Sequence, residues 1–145
     1  MNGLLENPIL FLSSYIIDNK SDYYKLLQEV RTKNNWENWI LFILKGIELT
    51  ANETIAQVNT ISKLFDQTKE IVQKKTPKIY SKELIELLFE QPYCKSEYVE
   101  NRLAISRITA SKYLKELERA QILKSKKVWK ETLYINTSLF EFLKK

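Results

Sequence analysis

Apolar residues along most of this chain recur every three or four positions, the spacing of helices with one buried stripe. Pro8 after Asn7 suits a first helical turn. Leu10, Phe11, Ser14, Tyr15 and Ile17 carry that helix to about Asp18. A second helix opens at Ser21 or Asp22 and runs through Tyr23, Tyr24, Leu26, Leu27 and Val30 to about Thr32. After a turn at 33–35, Trp36 starts a longer run. Trp39, Ile40, Ile43, Leu44 and Ile47 mark its stripe, and Ile55, Val58, Ile61, Phe65, Thr68 and Val72 extend it to about Lys74. Asn52 and Thr54 are the points where it could break or bend. Trp36, Trp39 and Phe42 are expected in the core or between helices.

The segment Lys74–Lys78 is polar and basic, and Pro77 disfavours helix at Thr76, so the expected division falls there, with residues 1–76 on one side and 77–145 on the other. Beyond it the pattern changes. Ser81 can cap a helix that buries Leu84, Ile85, Leu87 and Leu88 and stops before Pro92. Ser96 starts a short helix with Val99 and Leu103, Ala104 and Ile105 form a turn, and a strongly periodic helix follows. Ile122–Lys126 reads as a strand, Val128–Lys130 as a hairpin tip, and Thr132–Ile135 alternates as the returning strand. Asn136 or Thr137 caps a last helix over 138–143. The expected fold class is therefore mainly α: an N-terminal helical part with a long helix, then a winged helix-turn-helix with a small β-hairpin.

The helix after Ser106 carries the candidate chemistry. At about 100° per residue, Ala110, Tyr113, Leu114 and Leu117 fall on one side, and Lys112, Lys115 and Arg119 on the other, with Ile108. In helix-turn-helix geometry the first turns reach base edges, which nominates Arg107, Ile108, Ser111 and Lys112; Lys115 and Arg119, further along, suit phosphates. The wing adds Lys124, Lys126, Lys127 and Lys130, with Glu131 the nearby acid, and lysines there displace counterions from a nucleic-acid backbone. Ordinary explanations stand beside these. A basic stripe also arises on a solvated helix whose lysines pair with Glu116 and Glu118, and charged edge strands deter aggregation. Trp129 can stack on the domain or meet a partner.

Charge sharpens the picture. The net charge is +5, with 23 Lys and Arg against 18 Asp and Glu. Residues 1–77 hold 9 of each, whereas residues 78–145 hold 14 basic and 9 acidic residues. The excess sits wholly in the part with the helix-turn-helix pattern, as a polyanion partner requires. There is no histidine, which excludes His-based acid–base catalysis and most zinc sites, so no cofactor or metal is expected. A single cysteine, Cys94, rules out an internal disulfide and reads as a packed thiol in a reduced compartment. No signal peptide or bilayer-spanning run is apparent, and a cytoplasmic location is expected.

The first half also resembles a known family. The stretch LENPILFLSSYIIDNKSDYYKLLQEVRTKNNWENWILFILKGIELTA is similar to the region just after the catalytic motif of Fic-domain proteins. Those proteins run from a Leu-Pro-Ile/Val-Leu-Tyr/Phe-Leu-Ser segment into a helix with a tyrosine pair, then into a Trp-x-x-Trp-Ile helix. The matching residues here are Pro8, Leu10, Leu12, Ser13, Tyr15, Ile16, Tyr23, Tyr24, Leu27, Val30, Arg31, Trp36, Trp39 and Ile40. Longer family members end in a winged helix like residues 77–145.

The resemblance implies a family activity, transfer of AMP from ATP to a hydroxyl of a target protein. It also supplies a signature, H-x-F-x-[DE]-G-N-G-R-x-x-R, which this sequence lacks, so no catalytic residue carries over. The family's inhibitory pattern, [ST]-x-x-x-E-[GN], is met as a string by Ser96–Asn101, but there it falls in the second helix of the winged module, where Glu100 reads as an exposed helix charge. The expectation is a non-catalytic C-terminal region of a Fic-family protein, beginning just downstream of the active site, whose winged helix binds double-stranded DNA, for instance in transcriptional autoregulation. The alternatives are a homodimer through the long helix and a docking module for the enzyme's target protein.

Overall fold

The structure, a computed structural model, describes residues 12–144. The expectations on Pro8, Leu10 and Phe11 lie outside the described residues. Seven helices and three short strands follow in order: α1 (Leu12–Asp18), α2 (Lys20–Lys33), α3 (Trp36–Lys75), α4 (Lys82–Glu90), β1 (Tyr93–Cys94), α5 (Ser96–Leu103), α6 (Arg107–Arg119), β2 (Leu123–Val128), β3 (Glu131–Asn136) and α7 (Thr137–Leu143). A single 3₁₀ turn, Pro77–Ile79, sits between α3 and α4. The fold is thus mainly α with a small β-hairpin. Two compact units divide at Asn59 and Thr60, earlier than the polar segment around Pro77, because the last turns of α3 contribute Val72 and Phe65 to the core of the second unit.

In the first unit, α1 approaches α3 at Gly46, where a Cβ would lie 2.5 Å from Tyr15 Cδ1 and 2.8 Å from Leu12 Cδ1. A glycine is what lets these helices meet so closely. Aromatic rings fill the rest: Tyr15 lies 5.1 Å from Phe42, and Tyr23 lies 5.0 Å from Trp39 between ring centroids. Trp36 departs from expectation. It is 53% exposed, and its indole N–H donates to Asn34 Oδ1 at 2.9 Å, so it caps the turn rather than filling a core. Helix α2 starts at Lys20, ahead of Ser21 and Asp22, because Asn19 bridges the two helices: its backbone and side-chain N–H groups both donate to Tyr15 O, and its carbonyl accepts from Tyr23. Helix α3 runs unbroken past Asn52 and Thr54, and the Thr54 hydroxyl is satisfied within the helix by Thr50 O at 2.8 Å.

The second unit is built on α4, α5 and α6, closed by the sheet. Ser81 caps α4 by accepting from the Leu84 N–H at 3.1 Å. Leu84, Ile85 and Leu88 of α4 are buried against Val99 of α5 and Ala110, Leu114 and Leu117 of α6. Ala104 takes a left-handed conformation, φ 51°, which ends α5 and turns the chain into α6. Strands pair antiparallel in the order β1-β3-β2, with Cys94 opposite Tyr134 and Val128 opposite Glu131. Three helices followed by a hairpin that a short strand extends are the arrangement of a winged helix-turn-helix. Asn136 holds the hairpin to α4. Its Nδ2 donates to Leu88 O at 3.1 Å and its Oδ1 accepts the Leu139 N–H at 3.2 Å. The Leu88 carbonyl needs that donor, because the residue four positions on, Pro92, has no N–H.

Candidate nucleic-acid interface

Ser106 sets the start of α6: its Oγ accepts the Thr109 N–H at 3.2 Å while its backbone stays extended. The buried stripe Ala110, Leu114 and Leu117 fixes the rotation of the helix about its axis. Arg107, Ile108, Lys112, Lys115 and Arg119 consequently face solvent, and Ser111 is half-buried. Ile108 is 72% exposed. No ion pair closes on this face. Among the described residues, none of Arg107, Lys112, Lys115, Arg119, Lys124, Lys126, Lys127 and Lys130 forms an ion pair, whereas Lys45, Lys74, Lys82, Lys95 and Arg102 do. Glu118 does not pair with the helix lysines. It accepts the Ser125 N–H at 2.9 Å, a bond that ties α6 to β2 and, with the nearby Lys115, holds its carboxyl below the usual range.

The wing divides the nominated lysines. Arg107, Ser111 and Lys115 of α6 meet Lys130 and Thr132 of the wing, and Lys95 and Ser96 at the start of α5, around one cleft of 310 Å³. Glu97 and Glu131 also line it, and Glu131 is ion-paired with Lys95, which anchors the wing to α5 and raises the Lys95 pKa. Ile108 and Lys112 border the adjoining shallow surface with Ser96. Strand alternation puts Lys127 on the same side of β2 as Ser125, towards α6. Lys124 and Lys126 instead line a groove with Ile135, Phe140 and Glu141 beside α7. Arg119 stands at the far end of the α6 row, one turn beyond Lys115.

Lys95, Ser96 and Thr132 were not foreseeable as part of this cleft, because β1, which draws the start of α5 against β3, is only two residues long and leaves no periodic trace. Glu100, read from sequence as an exposed charge, is half-buried, and the Ser96–Asn101 string lies within α5. Tyr134 is buried beneath the cleft, and burial raises its phenol pKa. Cys94 is buried as expected. Among the described residues no cluster of His, Cys, Asp and Glu could hold a metal ion, and no helix is long and apolar enough to cross a membrane. A family model described as the C-terminal domain of SoFic-like protein adenylyltransferases matches residues 64–139, just over half of the chain and nearly all of the second unit.

Proposed function

The chain belongs to the SoFic-like protein adenylyltransferase family, matching its C-terminal domain, and from that premise we propose that it is a non-catalytic region whose winged helix binds double-stranded DNA. The adenylylation signature and every histidine are missing from this sequence, so the base that the signature supplies is absent from it. One observation carries the DNA reading. Arg107, Lys112, Lys115 and Arg119 form an exposed row on α6 with no ion pair among the described residues, and Lys127 and Lys130 extend it from the wing. Cations gathered on one exposed helix face and the adjoining wing are what a phosphate backbone attracts. Helix α6 enters the major groove, Arg107, Ile108, Ser111 and Lys112 face base edges, and Lys115, Arg119 and the wing lysines lie on phosphates. Binding of this kind serves transcriptional autoregulation. The test is fluorescence anisotropy of the full chain with a mixed-sequence duplex at stepped salt. Affinity that falls steeply with salt is expected, and absence of binding at low salt overturns the proposal.

A second reading is favoured by α3, where Ile40, Leu44, Ile55 and Val58 are each at least half exposed. Exposed apolar residues at helical spacing suit self-association or docking on another protein. Light scattering distinguishes the two: a monomer across the micromolar range removes the homodimer without touching the DNA proposal.

A further inference from the structure

The hairpin connection contains a residue that neither the turn nor the core explains. Val128 and Glu131 are paired in register, so the turn is the dipeptide Trp129–Lys130. Trp129 has φ 57°, the left-handed region where hairpin turns favour glycine or asparagine and a bulky side chain is strained. Burial does not offset that strain, because Trp129 is 94% exposed. The competing expectation that its ring stacks on the domain is therefore not met, and folding gains nothing from the indole. Strain held at an exposed position is the mark of a side chain retained for contact with something else.

The surroundings indicate what. Lys127 and Lys130 flank the ring on the chain, both exposed and neither ion-paired among the described residues. An exposed flat apolar ring with lysines close on both sides along the chain suits a groove bordered by two phosphate rails. An aromatic ring is about 3.5 Å thick at van der Waals contact, and the minor groove of duplex DNA is about 6 Å wide. The ring therefore enters edge-on.

We propose that Trp129 is a minor-groove probe: while α6 occupies the major groove, the wing tip places the indole against deoxyribose faces and base edges, with Lys127 and Lys130 on the flanking phosphates. This rests on the DNA reading above. The indole Nε1–H is a donor without an acceptor function. It matches the adenine N3 and thymine O2 acceptors of an A·T step and meets the guanine amino group at a G·C step. The wing site is accordingly A·T-preferring.

The test uses the full chain, with Trp129→Gly and Trp129→Phe variants, duplexes carrying A·T or G·C steps where the wing falls, and urea unfolding in parallel. Trp129→Gly is expected to raise the urea midpoint, because glycine relieves the left-handed strain. It should weaken duplex binding about tenfold, the scale of losing one aromatic contact to a base. The salt slope should not change, because no charge is altered. Trp129→Phe retains part of the affinity and loses the A·T preference with the N–H. Duplex binding by Trp129→Gly equal to wild type, with wild type itself binding, overturns the minor-groove proposal and leaves the DNA reading intact. So does a fall in stability matching the fall in affinity, or a loss confined to self-association. Failure of wild type to bind any duplex overturns the DNA reading itself.

Discussion

Replacing Asn136 with alanine tests how the hairpin is fastened to the helices. Asn136 is 2% exposed and satisfies two backbone groups, the Leu88 carbonyl and the Leu139 N–H. Its Oδ1 caps α7 through the Leu139 N–H, and losing a side-chain cap costs about 1 kcal/mol. Its Nδ2 serves the Leu88 carbonyl, which Pro92 deprives of the usual helical donor; leaving a buried acceptor bare costs roughly 1–3 kcal/mol. Together Asn136→Ala should destabilise the second unit by about 2–4 kcal/mol, a shift of roughly 10–25 °C in Tm for a unit of this size. Asn136→Ser, which keeps a capping hydroxyl but cannot reach Leu88, should fall between alanine and wild type. Urea unfolding followed by circular dichroism measures all three. An alanine variant within about 0.5 kcal/mol of wild type, the scatter of an ordinary surface substitution, would refute the assignment of Asn136 as the fastener.

Ala104→Gly should raise stability by about 0.5–1 kcal/mol, because Ala104 sits at φ 51° and glycine removes the steric cost of that turn while giving back some unfolded-state entropy; an unchanged or lowered urea midpoint counts against it. Cys94 should resist alkylation at neutral pH and react fully in urea, since burial pushes its thiol up to about 12. The same shift means that stability declines as pH rises above 9.0, the ordinary value, where the unfolded thiol ionises and the folded one does not. Glu118 works in the opposite direction. Its folded pKa lies below the ordinary 4.5, so its contribution is complete above that value and is lost as pH falls through the lower folded one. Glu118→Gln, which can still accept from Ser125, should lack this acid-dependent component, and parallel stability profiles for the two proteins refute the bond as its source.

The winged helix was legible because its cues are local. Ser81 and Ser106 cap the helices expected of them, the spacing of Ala110, Leu114 and Leu117 fixed the buried side of α6, and the alternation in 132–135 found β3. Ala104 was recognisable as a turn from its place between two periodic runs, although alanine gives no conformational signal of its own. What sequence could not yield depended on contacts distant along the chain. Strand β1 is specified by pairing with β3 rather than by a pattern of its own. Helix α3 continues across Asn52 and Thr54, whose weak helix propensity does not break it; the Thr54 hydroxyl is satisfied within the helix by Thr50 O. The ten nominated contact residues were read as one basic surface, whereas strand alternation sends Lys124 and Lys126 towards α7, away from the cleft where Lys130 joins Arg107 and Lys115. Trp36 was drawn into the expected core by its size, but position at the helix start gave it a capping bond instead.

The central claim is that the α6 face is built to neutralise phosphates. It is tested most directly by the salt dependence of duplex binding in two triple variants of the full chain, Arg107→Ala/Lys112→Ala/Lys115→Ala and, as a charge-matched control, Lys20→Ala/Lys25→Ala/Lys33→Ala on α2. Each phosphate contact contributes a slope of about −0.9 to log K against log salt. Lys115 is the phosphate contact among the three, so the α6 variant should flatten the slope by about 1 and, with Arg107 and Lys112 lost from the base edges, bind far more weakly at low salt, while the α2 variant follows wild type. Equal effects from the two variants, or no effect from either, would contradict the assignment.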